Sequence, residues 1–113
     1  MNFIEYQLAA MDTAQYPQVG NNLVYPMLGL VGEAGEAADK VKKIWRNRGV
    51  MSARTYTLEE KRELAKELGD ILWYIAAAAT EIEWTLESIA AQNIKKLMDR
   101  QERNVIKSEG DNR

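Results

Sequence analysis

The chain has 113 residues, enough for one domain, and helical proteins of this size often complete their core by pairing with another copy. Its 15 basic and 17 acidic residues nearly cancel and the basic ones form no long tract, so no nucleic-acid groove is indicated. Zero cysteines and zero histidines exclude disulfides, thiolate zinc sites, cysteine nucleophiles, imidazole bases and histidine-ligated metals, and the lack of thiols fits a reducing compartment.

The N-terminal MNFIEYQ carries no basic segment followed by an apolar one, and no apolar run approaches the roughly 18 residues of a membrane span, so a cytoplasmic location is expected. Phe3, Ile4, Leu8 and Met11 recur at three-to-four spacing and predict a first helix over residues 2–15. A breaker cluster at 16–22 predicts a loop. The second helix is expected over 23–46. Because Pro26 is tolerated only in a first turn, its true start lies near Val24 or Tyr25. Residues 47–56, with Gly49, form a connection, and TLEE at 57–60 is a capping box that starts a third helix running to about Glu83. Its middle, ILWYIAAAA at 71–79, is apolar all round, as a helix enclosed by partners should be. Thr85 is the expected N-cap of a fourth helix over 86–103, with Ile89, Ala90, Ile94, Leu97 and Met98 as its stripe. From Asn104 onward a polar, glycine-containing tail is expected to be extended or mobile. The expectation is a single all-α domain over 1–113, four-helix-bundle-like and completed by oligomerisation.

The chemistry is concentrated in GLVGEAGEAAD at 29–39 and ELGD at 67–70. Each places two carboxylates three residues apart on a helix, so Glu33 and Glu36 share one face, as do Glu67 and Asp70. Glu-x-x-Glu is common on solvated helices, but here its neighbours are Leu30, Val31, Ala34, Ala37 and Ala38 rather than lysines that would pair it in water. Two such helices face to face would gather four carboxylates, which repel strongly unless cations stand between them. Oxygen-only ligation suits Mg²⁺, with Mn²⁺ as a substitute, rather than zinc. Gly29, Gly32 and Gly35 recur inside the same helix, each costing roughly 1 kcal/mol relative to alanine. Close approach of a neighbouring helix or of a ligand explains such a run. On the fourth helix Asn93, Lys96 and Arg100 share a face at i, i+3, i+7 and offer an amide and two cations to an anion; the plain alternative is that the cations merely solvate that helix. Carboxylate-held metal plus cationic side chains is the equipment of phosphate hydrolysis. Tyr74, one turn beyond Asp70 on the same face, is positioned either to donate its hydroxyl to a substrate or to serve as a core tyrosine.

ExxE on one helix, ExxD on the next and a downstream N-x-x-K-x-x-x-R together resemble the MazG-like family of all-α nucleoside triphosphate pyrophosphohydrolases. The likeness covers LGLVGEAGEAADKVKK at 28–43, KELGDILWYIAA at 66–77 and NIKKLMDR at 93–100, and the ending GDNR at 110–113 is similar to that of short, single-domain phage members. The interval between Glu36 and Glu67 is slightly longer than the family's usual one, which gives the connection after the second helix a possible part in shaping the pocket. The resemblance implies that Glu33, Glu36, Glu67 and Asp70 bind Mg²⁺ and position the attacking water. Lys96 and Arg100 would grip the phosphates and Asn93 would assist at the sugar or phosphates. The implied reaction cleaves a nucleoside or deoxynucleoside triphosphate between its α and β phosphates, giving the monophosphate and pyrophosphate without a covalent enzyme intermediate. Tyr6, Tyr16 and Tyr25 are weaker candidates to lie against the base, Trp45 and Trp73 read as packing residues, and Asn112 or Arg113 would close over the site. The implied assembly is a homodimer or a tetramer built as a dimer of dimers.

Two rival readings remain. A ferritin-like di-iron protein also uses bundle carboxylates but requires Glu-x-x-His, which a chain without histidine cannot supply. The other is a non-catalytic helical module that binds a nucleotide or serves oligomerisation.

Overall fold

The computed structural model describes residues 1–103 and Asp111. Its elements are α1 (Phe3–Asp12), α2 (Val24–Arg48), a short 3-10 turn (Ala53–Thr55), α3 (Leu58–Glu81) and α4 (Leu86–Glu102), with no strand among the described residues. The protein is therefore all-α, as its periodicity predicts. No helix of the described residues is long and apolar enough to cross a membrane. The tail expected to be mobile from Asn104, including Asn112 and Arg113, lies outside the described residues except for Asp111.

Helix starts follow local chemistry. Asn2 accepts the Glu5 amide at 2.8 Å, Thr57 and Glu60 form the reciprocal capping box, and Thr85 accepts the Ser88 amide at 3.0 Å. Pro26 sits in the first turn of α2 and is fully buried. Helix ends depart further from expectation. α1 stops at Asp12 rather than near 15 because the Thr13 hydroxyl turns back to the Ala10 carbonyl at 2.6 Å while accepting the Trp73 indole N–H at 2.9 Å. α2 runs on to Arg48, where Gly49 at φ 66° terminates it. α3 stops at Glu81, two residues early, because Glu83 takes a left-handed conformation (φ 61°) that lets the Trp84 amide reach the Ala79 carbonyl.

α3 is central, packing α2 antiparallel along one side and α1 along another; α4 touches mainly α1 and α3. The pairs Arg48–Glu60, Lys40–Glu67 and Gly29–Tyr74 run in opposite order along α2 and α3, which sets their register. The core is small and made largely of alanines: Ala10, Ala76, Ala79 and Leu86, flanked by Tyr6, Met11, Trp73, Ile75 and Ile89. Small side chains let α1 and α3 approach closely. Gln7, on α1, is buried in this corner and donates to the Thr80 hydroxyl (2.9 Å) and the Trp84 carbonyl (3.0 Å) while accepting the Leu86 amide (2.8 Å). That last bond satisfies one of the free amides that open α4.

Candidate functional site

The antiparallel packing of α2 on α3 brings the two acidic pairs together. Carboxylate oxygens of Glu33, Glu67 and Asp70 all lie within 4.8 Å of one another. Glu36, one turn after Glu33, shares hydrogen bonds with both Glu33 and Glu67. Burial, then the adjacent Glu36 charge and the hydrogen bonds to Glu36 and Glu67, push the Glu33 carboxyl up to about 7, so near neutrality it holds a proton that its neighbours accept. Among the described residues, Glu33 Oε2 and Glu67 Oε2 are shielded from solvent and meet no N–H or hydroxyl donor. Orphaned buried oxygens in a mutually repelling cluster fit a hard divalent cation, and the donor set is oxygen alone.

Lys40 completes the cluster's far edge. It lies one turn beyond Glu36 and binds Glu67 at 2.9 Å and Glu63 at 3.5 Å. Its ammonium is the main reason that the Glu67 carboxyl is held below its ordinary value despite some burial. The sequence carried the signal for Lys40, since it follows Glu33 and Glu36 at i+7 and i+4, but a lysine near acids reads as an ordinary surface pair.

On the opposite side the cluster opens into a pocket of about 380 Å³ lined by Thr13, Glu33, Asp70, Trp73 and Tyr74. Trp73, read from sequence as a packing residue, both packs on the core and faces this pocket. Tyr74 is half-buried; burial first, and then the nearby Tyr25, Glu33 and Asp70, raise its hydroxyl above the ordinary value. An aromatic chain backs the wall: Trp73 meets Tyr74 edge-on at 5.1 Å, Tyr16 meets Trp73 edge-on at 6.4 Å, and Tyr16 stacks on Tyr25 at 5.2 Å. Tyr6 is close enough to Asp70 for that charge to add to burial in raising its hydroxyl. Thr13 and the α1–α2 connection carried no motif, so their place beside the pocket was not legible. Trp45, by contrast, is exposed.

A model of the MazG nucleotide pyrophosphohydrolase domain matches residues 25–105. The chain belongs to the MazG family. It is also similar to the Gene 37 protein of Mycobacterium phage L5, 46% identical over 114 residues that cover 96% of each chain. No solved structure matches it significantly. The MazG match spans Glu33, Glu36, Glu67, Asp70 and the fourth-helix set, whereas α1 and the α1–α2 connection lie before it.

In this MazG domain the fourth-helix residues stand apart from the acidic pocket. Asn93 and Lys96 line a separate pocket of about 370 Å³ with Trp84, Ile89 and Gln92. Lys96 donates to the Asp111 carboxylate at 3.2 Å, and the buried Arg100 donates to the Asp111 carbonyl at 2.6 Å and its carboxylate at 3.4 Å. Lys96 first, then Arg100, hold the Asp111 carboxyl below its ordinary value. The cations thus already receive an oxygen anion.

Proposed function

We propose that the protein is a divalent-cation-dependent nucleotide pyrophosphohydrolase that cleaves a nucleoside or deoxynucleoside triphosphate between its α and β phosphates. The observation that carries this reading is the convergence of Glu33, Glu67 and Asp70, with Glu36 hydrogen-bonded to Glu33 and Glu67, beside an aromatic-walled pocket in a MazG domain. Glu33, Glu36, Glu67 and Asp70 would hold Mg²⁺ or Mn²⁺. When bound, the cation supplies the positive charge that neutralises phosphate oxygens and eases ionisation of water.

The chain's own residues do the rest. Glu33, which relieves the cluster's repulsion by holding a proton near neutrality, would give that proton up where a cation is held. The carboxylates orient a water whose oxygen bonds to Pα; the Pα–O bond to the bridging oxygen breaks, pyrophosphate leaves, and the water's proton passes to a carboxylate or solvent. Lys96 and Arg100, which stand apart from the acidic pocket within one protomer, would meet the charge that develops on pyrophosphate where assembly or closure brings them to it, exchanging Asp111 for phosphate oxygens, with Asn93 adding an amide beside them. Tyr74 directs its hydroxyl to the substrate, and Trp73 and Thr13 close the pocket's wall. A second copy of the chain covers the outward apolar face of α2, giving a homodimer at least.

The test is turnover of each NTP and dNTP with Mg²⁺, reading released pyrophosphate, with Glu36→Gln and Asp70→Asn as controls and chelation as a further arm. Each variant and the chelated enzyme should lose about 100-fold or more, the scale of removing charge stabilisation from a transition state. Pyrophosphate from no nucleotide would leave the non-catalytic module as the better account, and activity surviving both substitutions would remove the site assignment.

A further inference from the structure

We infer that Glu81 is a positioning residue for this reaction, clamping the α1–α2 connection so that the aromatic wall of the pocket is held against the nucleoside part of the substrate. The clamp stands on the geometry of the chain; what the wall contacts rests on the hydrolysis proposed above.

The connection between α1 and α2 has no helical ladder, and two of its residues, Gln18 (φ 56°) and Gly20 (φ 93°), are left-handed. Such a segment is mobile unless tied down. Glu81, the last residue of α3, ties it at three points: Oε1 accepts the Tyr16 hydroxyl at 2.7 Å and the Gly20 amide at 2.8 Å, and Oε2 accepts the Asn22 amide at 3.2 Å. Burial alone would raise this carboxyl, but the Tyr16, Gly20 and Asn22 donors outweigh it and hold it below its ordinary value. Asn22 passes the constraint on by accepting the Tyr25 amide at 3.1 Å in the first turn of α2.

Tyr16 passes it on in the other direction. Its ring is buried, stacked on Tyr25 and set edge-on against Trp73, which in turn meets Tyr74. Trp73 and Tyr74 line the pocket beside Glu33 and Asp70. Glu81 itself lies eleven residues beyond Asp70, about 16 Å along the axis at 1.5 Å per residue, so it acts through these rings and not on the phosphates. Its removal should therefore separate two things that a general loosening would move together: the hold on the nucleoside and the hold on the phosphates.

The experiment compares wild type, Glu81→Gln and Tyr16→Phe by nucleotide turnover, by inhibition with inorganic tripolyphosphate, which has no nucleoside, and by acrylamide quenching of Trp73 in a Trp45→Phe/Trp84→Phe background. Glu81→Gln should raise KM for the nucleotide about tenfold, the scale of one hydrogen bond to a charge, with kcat within about threefold and tripolyphosphate inhibition unchanged. Quenching of Trp73 should increase. Tyr16→Phe removes one donor and should move the same readings in the same direction by less; it carries the test if Glu81→Gln does not fold. Unchanged KM and quenching, or equal loss of nucleotide and tripolyphosphate affinity, overturns the inference. If wild type releases no pyrophosphate, the hydrolysis reading fails by itself, and the quenching arm still decides whether Glu81 holds the aromatic wall.

Discussion

Gly29 lies where the Tyr74 ring crosses α2, and the methyl group of an alanine there would overlap three atoms of that ring. This accounts for one member of the glycine run: backbone freedom is given up on a helix so that a tyrosine can lie flat against it and face the acidic pocket. Helix propensity favours Gly29→Ala by roughly 1 kcal/mol, and overpacking opposes it by about 1–3 kcal/mol, so the overlap should win. The variant is expected to be less stable than wild type by denaturant unfolding and to lose catalytic efficiency as Tyr74 is displaced; an alanine that stabilised the protein would show that the ring yields freely. Among the described residues, a methyl group added at Gly32 or Gly35 would meet nothing within 4 Å. The acidic pairs themselves were legible, because i and i+3 on two helices leaves few alternatives once the helices pack. Tyr74 against Gly29 was not, since 45 residues of chain separate them and neither carries a mark of the other.

The starts of α1, α3 and α4 were written in their caps, because Asn2, Thr57 with Glu60, and Thr85 act on amides only three residues away, while α2, without a side-chain bond from its N-cap Leu23, was placed by Pro26. Where they end depended on distant groups: the Trp73 indole that engages Thr13, the left-handed Glu83, and Glu81 drawing the α1–α2 connection onto α3. Gln7 shows the same dependence between elements. Reading α1 as a plain apolar stripe misses that a single buried amide joins α1 to the end of α3 and the start of α4. Gln7→Leu keeps the volume but strands the Leu86 amide and the Trp84 carbonyl, at about 1–3 kcal/mol per orphaned buried group. The expected result is a protein destabilised by about 2–6 kcal/mol, with hydrogen exchange at the Leu86 amide accelerated beyond what global unfolding explains. If exchange there is unaltered, the corner is held by its alanines and not by Gln7.

Taken as a whole the protomer exposes too much. Its accessible surface is 8420 Å², where a monomer of 12.9 kDa is expected to expose about 6,300 Å², and its radius of gyration is 16.9 Å against about 13 Å for a compact chain of this length. Much of the surplus is apolar and ordered. Along α2, Val24, Leu28, Val31, Gly35, Ala38 and Trp45 fall at alternating spacings of four and three, apart from Lys42, a seam that points away from α3, with Leu28 and Val31 exposed to 69% and 68%. An apolar seam of this length is the kind of surface that a standard interface of roughly 800 Å² per partner covers. If a second copy packs on the seam, Gly35, between Val31 and Ala38, would let its helix come close. Light scattering is therefore expected to give at least twice the mass of one chain at micromolar concentration, and Leu28→Glu combined with Val31→Glu should reduce it to one chain, with a lower melting temperature. Val31, unlike Leu28, lies on the opposite side of α2 from Glu33 and Glu36, so loss of activity in a Val31→Glu variant that scatters as one chain would reflect loss of the partner. A wild-type protein that scatters as one chain would mean that this face is covered by something other than a second copy.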